Sequence, residues 1–181
     1  YPAAKSNLLA DQLKIVAQLI AGGLKTRIYM VSLGGFDTHA SQATGGTGIV
    51  SHGTLLNQLS VGITAFQDDL RLLGVQDRVL GMTFSEFGRR IKSNSSGGTD
   101  HGAAAPFFVF GTNVQPGIMG TNPIIPANPT SEDNIPMQYD FRSVYASILK
   151  DWFCASDTAL KVSLFKDFQM LPIVKGSTGV D

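Results

Sequence analysis

Arg27-Ile-Tyr-Met-Val-Ser-Leu33, running directly into Gly34-Gly-Phe-Asp-Thr-His39, is the stretch on which the fold reading turns. The run is short, apolar and rich in β-branched residues, and Gly34-Gly35 ends it. That pattern predicts a strand buried on both faces, with Asp37 and His39 on the first loop beyond it. The same arrangement recurs downstream. Arg78-Val-Leu-Gly-Met-Thr-Phe84 reads as a second buried strand and passes straight into Ser85-Glu-Phe-Gly-Arg-Arg90. Pro106-Phe-Phe-Val-Phe110, reached through the turn-rich Asn94-Ser-Ser-Gly-Gly-Thr-Asp-His-Gly102, reads as a third. No helix separates the second and third strands, so the direction of the third is left open.

Helices are expected around these runs. Leu8, Leu9, Leu13, Val16, Ala17 and Ile20 recur at helical spacing, with Gly22-Gly23 as the stop. Leu55, Leu59, Ile63, Phe66, Leu70 and Leu73 mark a second amphipathic helix over residues 54–74. A third runs over about 140–153, with Asp140 as its cap. Residues 40–49 read as an exposed loop rich in Gly, Ser, Thr and Ala, and residues 112–137, with five prolines, as an irregular surface excursion. Strand, helix, strand, strand, helix with long loops points to an α/β sandwich. No repeat or linker divides residues 1–181, so one domain is expected.

Composition narrows the function classes. Fourteen basic and fourteen acidic residues cancel, and no stretch gathers Lys and Arg into a face, which argues against nucleic-acid binding. No apolar run reaches the roughly 18 residues of a membrane span, and the first residues lack a signal-peptide pattern. The single cysteine, Cys154, lies beside Trp152 and Phe153 and reads as a packed small hydrophobe.

Chemistry concentrates at the strand ends. In open α/β sheets ligands bind beyond the carboxyl ends of strands, which would bring Asp37, His39 and Glu86 together. Asp100 and His101 would join them if their glycine-rich loop folds back over that edge. Carboxylate and imidazole together are the ligand set of zinc or another divalent metal. The bland alternative is that each Asp caps a turn and each His bonds to backbone, and for either pair alone it is the better reading. Two Asp/His pairs and a strand-end Glu, converging on one edge, favour a site. His52, beside Ser51 at a helix start, reads as a cap or surface contact. Arg89 directly follows Gly88; its guanidinium would either clamp a phosphate or sulfate, a catalytic role, or serve as a surface charge or a partner for Glu86. There is no Gly-x-Ser-x-Gly elbow, no Gly-Lys-Ser/Thr phosphate loop despite Gly45-Gly-Thr-Gly48, and no dinucleotide fingerprint. Neither Ser85 nor Ser32 is marked as an activated partner for His101.

Taken as an ordered set, Gly34-Gly-Phe-Asp-Thr-His39, Ser85-Glu-Phe-Gly-Arg89, Gly98-Thr-Asp-His-Gly102 and Asp140-Phe-Arg-Ser-Val-Tyr145 resemble the bacterial family known as domain of unknown function 1501, of the alkaline phosphatase and sulfatase superfamily. The resemblance implies a mostly parallel sheet flanked by helices in three layers, of which this chain would be the C-terminal part. It also implies export to the periplasm or beyond, phosphate or sulfate esters as substrates, and a nucleophile upstream of Tyr1. Asp37, His39 and His101 look like the ligands of one metal ion, zinc first, with manganese or calcium as alternatives. Glu86 stands where superfamily phosphatases show an Asp-His pair, but Phe87 follows it and cannot ligate. Asp100 is then the candidate to complete a second site. The expected function is a metal-dependent hydrolase of small anionic esters. Its rival is a non-catalytic exported binding or assembly module that keeps the acid and histidine set as a hydrogen-bond network.

Overall fold

Asn7 opens the first helix: its side-chain oxygen accepts from the Ala10 N–H at 3.2 Å, and α1 runs over Leu8–Ala21. The other end of the Asn7 amide donates to the Gln58 carbonyl at 2.8 Å, which fixes α1 against α2, His52–Leu72. Past α1, Gly23 adopts φ +80°, and the N–H groups of Gly23 and Leu24 return to the carbonyls of Ile20 and Leu19. This is the glycine stop that the sequence predicts. The computed structural model describes residues 1–42 and 51–176. From residue 43 on, the loop expected over 40–49, with its Gly45-Gly-Thr-Gly48, lies outside the described residues.

Leu9, Leu13, Ala17 and Ile20 of α1 meet Phe66 and Leu70 of α2 in the first core cluster, and Leu70 is wholly buried. A second cluster forms around α3, Phe141–Asp151, where Val144 and Ile148 pack with Leu171 and Ile173. The Ser147 hydroxyl donates to Ser143 O at 2.7 Å and accepts from Leu171 N at 2.8 Å, tying the segment around Leu171 to the helix. A fourth helix, α4, Asp157–Leu164, was not predicted; its cap is Ser156, which accepts from Ala159 N at 3.2 Å. Cys154 is exposed, with φ +56°, because the chain turns out of α3 there instead of packing the thiol inward. The expectation of a buried cysteine is thus corrected. Among the described residues, no helix is long and apolar enough to cross a membrane.

The expected α/β architecture, a mostly parallel sheet flanked by helices in a three-layer, alkaline phosphatase-like sandwich, is overturned. Among the described residues the sheets are two antiparallel pairs of two-residue strands: β1, Gly81–Met82, with β4, Val109–Phe110, and β2, Gly88–Arg89, with β3, His101–Gly102. A parallel pair needs a crossover of a dozen or more residues, usually helical, and no helix lies between β1 and β4. Residues 27–33 form no strand and belong to neither sheet. Tyr29, Val31 and Leu33 face the α1–α2 core, while Ile28 and Met30 are 72% and 81% exposed. The Gln12 side chain bonds both to Ser32 O, at 2.9 Å, and to Ser32 N, at 3.1 Å, in place of a strand partner. An unbroken apolar run looks the same whether one or both of its faces are covered.

Asp140 caps α3 as predicted, accepting from Arg142 N at 2.9 Å, and the Arg142 guanidinium folds back to the same carboxylate at 2.6 Å. That side-chain bond draws the Asp140 carboxyl from 3.8 down to about 2, against the opposing effect of burial. A lowered folded-state pKa contributes stability that is complete above the unfolded value and lost as pH falls through the folded one. Helical signal from α3 is therefore expected to weaken between pH 3.8 and about 2. An acid titration followed by NMR should show this step in the native chain and lose it in Asp140→Asn.

Candidate metal centre

Two loops build the site. The β2–β3 pairing sets Arg89 opposite His101 and Gly88 opposite Gly102. The loop carrying Asp37 and His39 lies along residues 96–99: Ser41 N donates to Ser96 O and Gln42 N to Gly97 O, each at 3.0 Å, and Thr99 N to Thr38 O at 3.4 Å. Such an approach leaves no room for a side chain at residue 98. A Cβ there would stand 2.4 Å from the His39 carbonyl carbon and oxygen, which explains glycine at that position. Asn94 locks the arrangement, its Nδ2 donating to His39 O at 2.8 Å and to Asp100 Oδ1 at 3.0 Å. Its Oδ1 accepts from the N–H groups of Ser96 and Gly98 at 3.0 and 3.1 Å.

On this scaffold one carboxylate oxygen gathers two imidazoles. Asp37 Oδ1 is 2.8 Å from His39 Nδ1 and 2.8 Å from His101 Nε2. The two rings are 4.6 Å apart between centroids. Asp37, His39 and His101 can each offer a ligand atom, and these atoms all lie within 4.8 Å of one another. The hydrogen bond from His101 holds the Asp37 carboxyl below its ordinary range; partial loss of water opposes this, and the charges of His39 and Arg89 assist. Side-chain exposures of 61%, 49% and 42% for Asp37, His39 and His101 keep the cluster open to solvent.

Phe87 and Arg89 form the wall beside it. The Phe87 ring stacks on His101 at 3.7 Å with an 8° tilt, and the Arg89 guanidinium lies 5.1 Å over the same Phe87 ring. Arg89 donates through Nη1 to Thr99 O and through Nη2 to Phe36 O. Its Nη2 is also 3.8 Å from Asp37 Oδ1. With Asp37 so exposed, that ion pair is screened by solvent and contributes little. Each guanidinium bond to a carbonyl is worth about 1.5–3 kcal/mol, so the carbonyl contacts dominate.

Of the residues singled out in the sequence, Asp37, His39 and His101 are brought together, and Arg89 stands against them. Glu86 is exposed on the bend before β2 and lies outside this group, as does Asp100, whose carboxylate is taken by Asn94. His52, the first residue of α2, is edge-on to Phe36 at 6.0 Å between ring centroids and also lies outside it. Arg90 pairs with Glu132 at 2.7 Å. Sequence reasoning missed Asn94 and the stacking role of Phe87. The run Asn94-Ser-Ser-Gly was a visible turn signal for the first, whereas nothing local announces that a phenylalanine will lie on a distant histidine.

The chain matches the family described as "Protein of unknown function (DUF1501)" over residues 14–150. No curated protein and no solved structure matches the chain.

Proposed function

The chain belongs to the DUF1501 family, and we propose that its Asp37–His39–His101 cluster is a divalent-metal site of a hydrolase acting on small phosphate or sulfate esters. The observation that carries this reading is the convergence of two imidazole nitrogens on one carboxylate oxygen, 2.8 Å from each, at an exposed position. Two nitrogens and an oxygen form a donor set suited to zinc, with manganese the alternative. Calcium prefers oxygen ligands and fits this set less well. Structural zinc sites are closed by four protein ligands, whereas catalytic ones keep three and leave a position for substrate or water. Three donors with an open side belong to the second kind.

The residues fit the group in their chemistry as well as their placement. Asp37 is held ionised by its neighbours, as a ligand must be. In the metal-free chain the two ring nitrogens bond to the Asp37 carboxylate, so both bonds must be given up, and each ring nitrogen that turns to the ion must carry no proton, when an ion binds. A divalent ion at this position supplies the Lewis acidity that ester hydrolysis uses. Around it, Asp37 and the two histidines set its position, Phe87 keeps water from one face of His101, and the Arg89 charge lies beside Asp37. The likeness to the alkaline phosphatase and sulfatase superfamily contributes the substrate class and the exported location to this proposal. It does not contribute the sheet, which is of a different kind.

The test is a screen of the whole protein against phosphate and sulfate monoesters with added zinc, manganese or calcium. Turnover that is lost in His39→Ala is the expected result. A second reading also has an observation behind it: Asp37 already satisfies both histidines by hydrogen bonds, as a purely structural network would. On that reading, ester turnover is absent with every metal, and His39→Ala lowers thermal stability alone.

A further inference from the structure

Sequence offers Arg89 either as a clamp for a substrate's charge or as a surface charge or a partner for Glu86, and in the structure its donors turn inward. Its side chain is 19% exposed, its two terminal nitrogens are engaged by Thr99 O and Phe36 O, and the Phe87 ring lies beneath its plane. Phe36 directly precedes Asp37, and Thr99 lies two residues before His101. One guanidinium therefore joins the backbones of the two segments whose side chains make the cluster. We propose that Arg89 is a positioning residue, which clamps the Asp37–His39 loop to the His101 loop and so sets the approach of the three metal-binding groups. The clamp rests on the metal reading above for its purpose, but its geometry stands without a metal.

A guanidinium suits this task and an ammonium does not. Arginine presents donors in a rigid planar fork that can reach two carbonyls at once, whereas lysine offers a compact charge on a flexible stem. Arg89→Lys consequently separates the two roles. It keeps a positive charge near Asp37, as a substrate contact requires, and removes the bridge.

The experiment compares the native chain with Arg89→Lys and Arg89→Gln by two readouts. The first is amide exchange in the metal-free proteins. Ser41, Gln42 and Thr99 amides, which cross between the two loops, are expected to exchange at least tenfold faster in both variants, while the α1–α2 amides are unchanged. The second is cobalt(II) affinity followed by absorbance. It is expected to fall about 10- to 100-fold in Arg89→Lys, the range typical of groups that orient metal ligands. Unchanged exchange at the three amides overturns the clamp, and so does native cobalt affinity in Arg89→Lys. If the native chain takes up no cobalt, the metal reading fails by itself, and the amide exchange still decides the clamp.

Discussion

Gly98→Ala is expected to force apart the two loops that carry the Asp37–His39–His101 cluster and to destabilise the chain by about 3 kcal/mol. A Cβ at this position would meet the His39 carbonyl carbon and oxygen at 2.4 Å and the Thr38 carbonyl oxygen at 2.5 Å. All three are backbone atoms, so no side-chain rotation relieves the collision. The loop itself must move, taking His39 with it and loosening the bond from Asn94 to His39 O. Gly34→Ala is the matched control, because its Cβ would meet nothing within 4 Å. Urea denaturation of the two variants should place Gly98→Ala well below the native midpoint and Gly34→Ala close to it. Equal midpoints would mean that the loops do not approach as described.

Asp37→Ala is expected to lower affinity for zinc or cobalt by more than about 100-fold, beyond the loss seen when only an orienting group is removed. Asp37 supplies the oxygen that both histidines address, so its removal takes away one of the three donors of the proposed site and the group to which both rings bond. Asp37→Asn separates these contributions. It keeps an oxygen at the same place but removes the charge, and should retain the folded loops while binding metal weakly. Calorimetric titration of the three proteins checks the order native, Asn, Ala.

The sequence made the helices and the cluster legible for different reasons. Leu9, Leu13, Ala17 and Ile20 announce α1 because helical burial repeats at a local period, and Asp140 announces α3 because a cap acts within one turn. Residues 27–33 show the limit. Their composition predicts a strand, but whether a run finds strand partners depends on segments remote in sequence, and here the Gln12 side chain bonds to Ser32 instead. Asp37, His39 and His101 were legible as a set because histidine is scarce, three in the chain, and two of the three have an acidic residue close by beside glycine turns. The rule that suggested their meeting, ligand binding beyond the ends of parallel strands, was not the cause of it. An antiparallel pairing of β2 with β3 and a close loop contact at Gly98 assemble them instead. Glu86 is singled out by that same rule and Asp100 by the loop that carries His101, and both lie outside the three-residue group. Arg89 was legible as important, but the direction of its donors depends on the loops it joins.

The most direct measurement of the central claim is the metal content of the purified protein after equilibrium dialysis against zinc. The account predicts one ion per chain bound by the cluster, lost in both Asp37→Ala and His101→Ala and retained in Glu86→Ala and Asp100→Ala. Metal content unchanged in Asp37→Ala and His101→Ala would contradict it.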